Sequence, residues 1–364
     1  MINDIVIVDA VVHPWNMSPE NQNPDAPDAI AAVHGSHKLS VDEAHRDYVL
    51  NDEEFFTDIS WDVIAHAEFV ESPVDFGIIH ALPNLGFGLS FITDPDKAAA
   101  FRDQHPNRFK LYGTVDTPII ETAIADVERQ VKELKVDGIK LYPAFYYDGK
   151  GQGWKLDGPD FATPLLEAAM DLGIRHVAVH KSLWLAPAPK WAFAIDDFDS
   201  PLARFPDIQF EMVHGAIAFL DETIELLKCH RNLYLTLETT FQYILVKPRV
   251  FAKILGRLIT ECGSDRLLFA SGNNLGHPSP LISAFLNYEF PEAHVQEFGL
   301  RQITAEDRLN ILGRNAMRLH GITPEAVIQG TRNDEFALAR ARGEARGDIG
   351  PWHLLRAGKV AKPL

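Results

Sequence analysis

The chain has 364 residues, 46% of them hydrophobic and 23% charged, with a formal net charge of −17. Such a chain can bury a large core without staples, and its negative charge argues against nucleic acid or an anionic membrane surface as partner. Two cysteines, Cys229 and Cys262, exclude a disulfide framework and a thiolate metal cluster, which suits a reducing cytoplasm.

The opening, MINDIVIVDAVVHPW, is acidic and strand-like, which predicts no secretion signal. No apolar run approaches the ~20 residues of a membrane helix. Short runs rich in Val, Ile, Leu and Phe recur along the chain and read as strands buried on both faces. Eight are expected: Ile5–His13, Val74–Leu82, Phe109–Asp116, Val136–Pro143, His176–Ser182, Ile208–Ala216, Leu233–Glu238 and Arg266–Gly272. Helical patterns fall between them, near 58–71, 94–104, 118–134, 160–173, 196–205, 219–231 and 241–262, with a last one at 301–320. Asp58 and Thr117-Pro118 read as helix starts and Gly173 as a stop.

Strand and helix alternate through eight units, which predicts a closed α/β barrel of the (β/α)8 kind over residues 1–322. An open doubly wound sheet would need a Gly-rich first turn, and the first strand runs instead into His13-Pro14-Trp15. Three connections are too long to be mere links: 14–56, 144–159 and 183–195. All leave carboxyl ends of strands, the face on which such barrels carry their sites. Residues 323–364 read as a helical extension packing on the body or on a second subunit.

His13, His180 and His214 each end an expected strand, so a barrel brings them to one cavity. Three convergent imidazoles suit a divalent ion of the zinc class with an open position. One histidine alone is more often an ordinary buried or surface residue; three at strand ends point to a site.

In this order, VDAVVHPW, VDGIKLYP, VAVHKS, FEMVHGA, LLFASGNN and ILGRNAMRLHG resemble the amidohydrolase-related group of the amidohydrolase superfamily, near the aminocarboxymuconate-semialdehyde decarboxylases. The resemblance implies a TIM barrel, a homodimer, and hydrolysis or nonoxidative decarboxylation. It makes His13 and His180 metal ligands and His214 the catalytic histidine. Members usually begin Asp-x-His-x-His, but Val11 stands where the first histidine belongs. Their eighth strand usually ends Gly-Ser-Asp, but Gly272 holds the aspartate's place and Asn273 follows. Neither valine nor glycine can ligate, and an amide cannot take a proton as a carboxylate does.

Four repairs are open. Glu238 can supply the carboxylate, His277 can fold back, and His80 can face the cavity. Alternatively no metal is bound, and the histidines act as acid and base themselves. Glu238 and Asn273 are therefore catalytic candidates beside His214. Lys140 is a candidate for holding a substrate carboxylate, and Tyr142, Trp15, Trp184 and His277 for lining the pocket. Each has a plainer alternative, such as a cap, an ion pair or loop core. The expected substrate is a small carboxylated, cyclic or aromatic metabolite. A degenerate barrel that binds a ligand or a partner subunit is the rival reading.

Overall fold

The computed structural model describes residues 6–344 and 350–358. Ile5 of the first expected strand lies outside them.

Eight parallel strands form one sheet in chain order: β1 (Val8–Val12), β2 (Phe76–His80), β3 (Phe109–Thr114), β4 (Gly138–Leu141), β5 (His176–His180), β6 (Gln209–Val213), β7 (Leu233–Thr236) and β8 (Leu267–Leu268). All eight coincide with expected runs. Nearly every strand residue is buried, as a sheet covered on both faces requires. β8 is shorter than expected because the backbone after it turns to β1 instead of continuing the ladder with β7. Phe269 O accepts from Ala10 N at 3.0 Å, Gly272 N donates to Val11 O at 3.2 Å, and Asn273 O accepts from His13 N at 3.1 Å. These bonds close the barrel.

Helices follow the expected spans, with unexpected ones at Pro278–Leu286 and Glu292–Phe298 and with further differences. The helix after β1's long connection starts at Trp61 behind Ser60; Asp58 binds Lys97 Nζ at 2.9 Å instead of capping it. The span 241–262 is two helices, Tyr243–Val246 and Pro248–Glu261, because Lys247 precedes a proline and leaves helical geometry at φ −144, ψ 60. The connection 14–56 contains a three-turn helix, Pro27–Lys38. Within 144–159, Ala144–Tyr147 and Lys150–Gly153 form an antiparallel hairpin, whose turn places Asp148 and Gly149 at positive φ.

The described residues after 322 lie on the body. Arg108 bridges to Asp334 at 2.6 Å. Trp352 is fully buried, donates Nε1–H to Tyr48 O at 2.9 Å, and packs edge-on against His277. The Glu71 carboxylate accepts from His66 Nδ1, His277 Nε2 and the backbone N–H groups of Trp352 and His353. Arg356 holds Glu54 and the carbonyls of Asp47 and Val49. No described helix is long and apolar enough to cross a membrane.

Candidate active site

His180 ends β5, His13 and His214 directly follow β1 and β6, and Glu238 lies two residues past β7. All four side chains meet at the carboxyl end of the barrel. Around them the backbone is bent out of ordinary strand geometry. Ser182, His214, Ala216 and Thr239 all have φ between 61 and 65. A non-glycine residue there costs about 1–3 kcal/mol, and such strain gathers where side chains must be aimed.

The hydrogen bonds fix the protons. Trp15 Nε1–H donates to His13 Nδ1 at 2.7 Å, so the ring proton of His13 sits on Nε2, 3.2 Å from Glu238 Oε1. His180 Nε2 faces the Leu183 carbonyl at 2.7 Å and must donate to it. Its Nδ1 therefore accepts from His214 Nε2 at 3.2 Å. His214 Nδ1 in turn faces the Glu238 carbonyl oxygen at 3.4 Å, which only an N–H can satisfy, so the His180–His214 pair meets both carbonyls only when His214 takes up a second proton. His214 Nε2 is also 3.8 Å from Glu238 Oε2.

The acid–base balance follows. Burial draws His214 down to about 4, against the pull of Glu238. Burial also holds His180 well below the usual imidazole range. Burial alone would raise Glu238, but the fields of His214 and His13, the His13 hydrogen bond and Lys140 hold it below the usual carboxylate range. The floor is thus a carboxylate with three imidazoles, poor in strong bases at neutral pH.

His180, His214 and Glu238 floor a cavity of about 630 Å³ that Trp15, Tyr142 and Trp184 also line, with His13 behind Glu238. Tyr142 stacks on His180 with centroids 4.5 Å apart. Lys140 is buried just off the cavity wall. Its ammonium lies 4.8 Å from the Tyr142 centroid and has no hydrogen-bond partner among the described residues. Burial lowers it to about 7, while Glu238 and Glu211 pull it back up. His80 is fully buried and stacked 4.8 Å from Tyr112, with both ring nitrogens unpartnered.

Two expected residues point elsewhere. Asn273 Nδ2 donates to Glu68 Oε1 at 2.7 Å. His277 donates Nε2–H to Glu71 and accepts from Ser279 N at the start of the next helix. Its rings and bonds belong to the anchor of the C-terminal segment, so it does not fold back as a ligand. Sequence reasoning missed the helix Pro27–Lys38 as a cavity wall. Its signal was present: Ala29, Ala32, Val33, Ser36 and His37 recur at helical spacing and all face the cavity.

The donor set bears directly on the metal. Val11 is fully buried in an apolar cluster with Ala270 and Ala316. A Cβ built on Gly272, itself at φ +64, would lie 2.5 Å from Glu238 Oε1. The Glu238 carboxylate therefore fills the volume an eighth-strand aspartate would need. A histidine that ligates through one nitrogen donates its other N–H to an acceptor; Trp15 presents His13 with a donor instead. His180 does donate Nε2–H to a carbonyl, as a ligand would, but its remaining nitrogen, Nδ1, is taken by His214 Nε2. Among the described residues no three His, Cys, Asp or Glu side chains converge as ligands. As arranged, this donor set does not fit a divalent ion.

The fold and the histidine-lined mouth together define a (β/α)8-barrel enzyme site. The chain belongs to the amidohydrolase family, whose model, described as Amidohydrolase, matches residues 8–322. No curated protein matches the chain. Among solved structures it resembles an uncharacterized TIM-barrel protein from Bordetella bronchiseptica, at 17% identity and TM-score 0.61 over 87% of this chain and 99% of that one. It also resembles a dihydroxybenzoic acid decarboxylase from Polaromonas sp. JS666 with bound manganese and 2-nitroresorcinol (15% identity, TM-score 0.51, 87% and 97% covered). A third is a 5-carboxyvanillate decarboxylase from Novosphingobium aromaticivorans, also with manganese (13% identity, TM-score 0.52, 87% and 97% covered). At these identities the likeness is one of fold.

Proposed function

We propose that the protein is a nonoxidative decarboxylase of an aromatic carboxylate that works without a metal. The observation that carries this is the proton-bearing cluster of Glu238, His214 and His180 on the cavity floor, backed by His13. Hydrolysis needs a base strong enough to activate water, and Glu238 and His214 are both held at low basicity. Decarboxylation instead consumes a proton: the ring carbon bearing the carboxylate gains H⁺, the carbon–carbon bond breaks, its electron pair returns to the ring, and carbon dioxide leaves.

In this reading a bound carboxylate brings negative charge beside His214 and favours proton uptake at its Nδ1. Glu238 stabilises the imidazolium, and His180 orients it through Nδ1. His13, held by Trp15, donates Nε2–H to Glu238 and keeps that carboxylate in place. Lys140 supplies positive charge under the floor to offset Glu238 and attract the substrate anion. Tyr142 and Trp15 flank the ring. Zinc in particular would need several converging imidazole or carboxylate lone pairs, and those of His13 and His180 are engaged. A homodimer belongs to this reading on the family resemblance.

The test uses protein purified without added metal and assayed with and without chelator. It is offered hydroxybenzoates and, separately, amides and lactones. Release of carbon dioxide, with deuterium from D2O at the vacated carbon and no effect of chelator, is expected. Hydrolysis without decarboxylation, or activity that appears only on adding metal, overturns the proposal.

A further inference from the structure

Above its polar floor the cavity changes character. One wall is the face of helix Pro27–Lys38 carrying Ala29, Ala32 and Val33; others are Leu183–Ala186 and the helix Tyr243–Val246. Apart from Glu238, the charged lining side chains are Asp42 and Lys247. Asp42 is engaged by His45 Nδ1 at 2.5 Å, and Lys247 lies 4.9 Å from the Tyr243 ring centroid. His37 is satisfied by Leu275 O and Leu50 N. The wall therefore offers a ligand one exposed cation, Lys247, and no dense set of donors. At the mouth it ends in Leu39, 69% exposed, and Trp184, 47% exposed.

A monocyclic acid on the floor would leave this apolar wall wet, and the cavity of about 630 Å³ is of the size that holds a much larger ligand. Large exposed apolar groups continuous with a cavity mark a surface that something covers. We infer that the substrate is amphipathic, with a carboxylated aromatic head at His180, His214 and Glu238 and an alkyl tail along the Ala29–Ala32–Val33 face towards Leu39. The inference rests on reading the floor as the carboxylate-handling end. The small side chains at 29 and 32 make the room: a bulkier residue on either would close the channel.

The test is a series of 4-alkyl-2-hydroxybenzoates running from methyl through butyl to octyl. Binding is followed by quenching of tryptophan fluorescence, since Trp15 and Trp184 line the cavity, and carbon dioxide release is measured in parallel. Each methylene buried should tighten Kd roughly three- to fourfold until the tail reaches the mouth. Ala32→Trp should abolish that dependence on length. Leu245→Asn, on the facing wall, should weaken it if the first variant does not fold. A Kd flat with chain length overturns the inference while leaving the reaction untouched. So does a slope unchanged in both variants, which would put the tail elsewhere. So does a self-association that shields Trp184 and admits no long-chain ligand. A steep slope in the native protein, lost in the variants, with no carbon dioxide from any member, upholds the tail channel and overturns the decarboxylase.

Discussion

The indole N–H of Trp15 donates to Nδ1 of His13 over 2.7 Å, and so determines which nitrogen of His13 carries its proton. The bond makes His13 a donor to Glu238 and is the reverse of what a metal ligand needs. Trp15→Phe keeps an aromatic body but removes the donor. His13 should then populate both tautomers, visible in its ring ¹⁵N shifts. The loss of one buried hydrogen bond, about 1 kcal/mol, should lower kcat roughly fivefold. Unchanged ¹⁵N shifts would refute the assignment.

Gly272 and Glu238 compete for one volume. Gly272→Ala should destabilise the fold by about 2 kcal/mol or more, from the positive φ and the crowding of Oε1. Glu238→Ala on top should return part of that loss. A double-mutant cycle in urea should give a coupling of about 1 kcal/mol; strict additivity would deny the competition.

Lys140 should trade stability for function. Its folded value, about 7, lies below its ordinary 10.5 because burial disfavours the charge. The cost of the buried ammonium is therefore fully present below pH 7 and fades as pH rises from 7 towards 10.5. Lys140→Met should melt higher than the native protein at pH 6, with the gap closing by pH 10. If the ammonium attracts the substrate, kcat/KM for a carboxylate falls as pH rises through about 7 in the native protein. In the variant it should be low and without that limb.

Glu71 is the opposite case. Burial would raise it, but hydrogen bonds from His277, His66 and His353 bring it from its ordinary 4.5 to about 2. The stability this supplies, roughly 3 kcal/mol by linkage, is present above pH 4.5 and is lost as pH falls from 4.5 to 2. Glu71→Gln should melt lower than the native protein at pH 7 and approach it near pH 2. Limited proteolysis should cut after residue 340 more readily in the variant.

How far the sequence could be read follows from what each feature depends on. Strands buried on both faces leave continuous apolar runs, so all eight were legible, and with them the convergence of His13, His180 and His214. Glu238 could be named as a substitute carboxylate because it ends a strand. That it occupies Gly272's missing side chain could not, since this is a steric relation between two strands remote in sequence. The Trp15–His13 bond depends on a side-chain rotamer after a proline, which periodicity does not encode. His277 looked like a spare ligand four residues from Asn273. Only the fold shows its nitrogens bound to Glu71 and the next helix. The cavity wall at 27–38 carries its helical spacing in Ala29, Ala32, Val33, Ser36 and His37, but it lies inside a connection, outside the strand–helix alternation from which the barrel is read.

The Arg356–Glu54 contact joins residues 302 positions apart, and it has a consequence for biosynthesis. Chains emerge amino-terminus first and fold by units as they do so. The strands and their histidines can assemble before Trp352 and Arg356 leave the ribosome, whereas the segment at 47–54, whose Leu50 N–H holds the cavity-lining His37, must wait for them. A nascent barrel thus acquires its reactive groups first and a finished enclosure last.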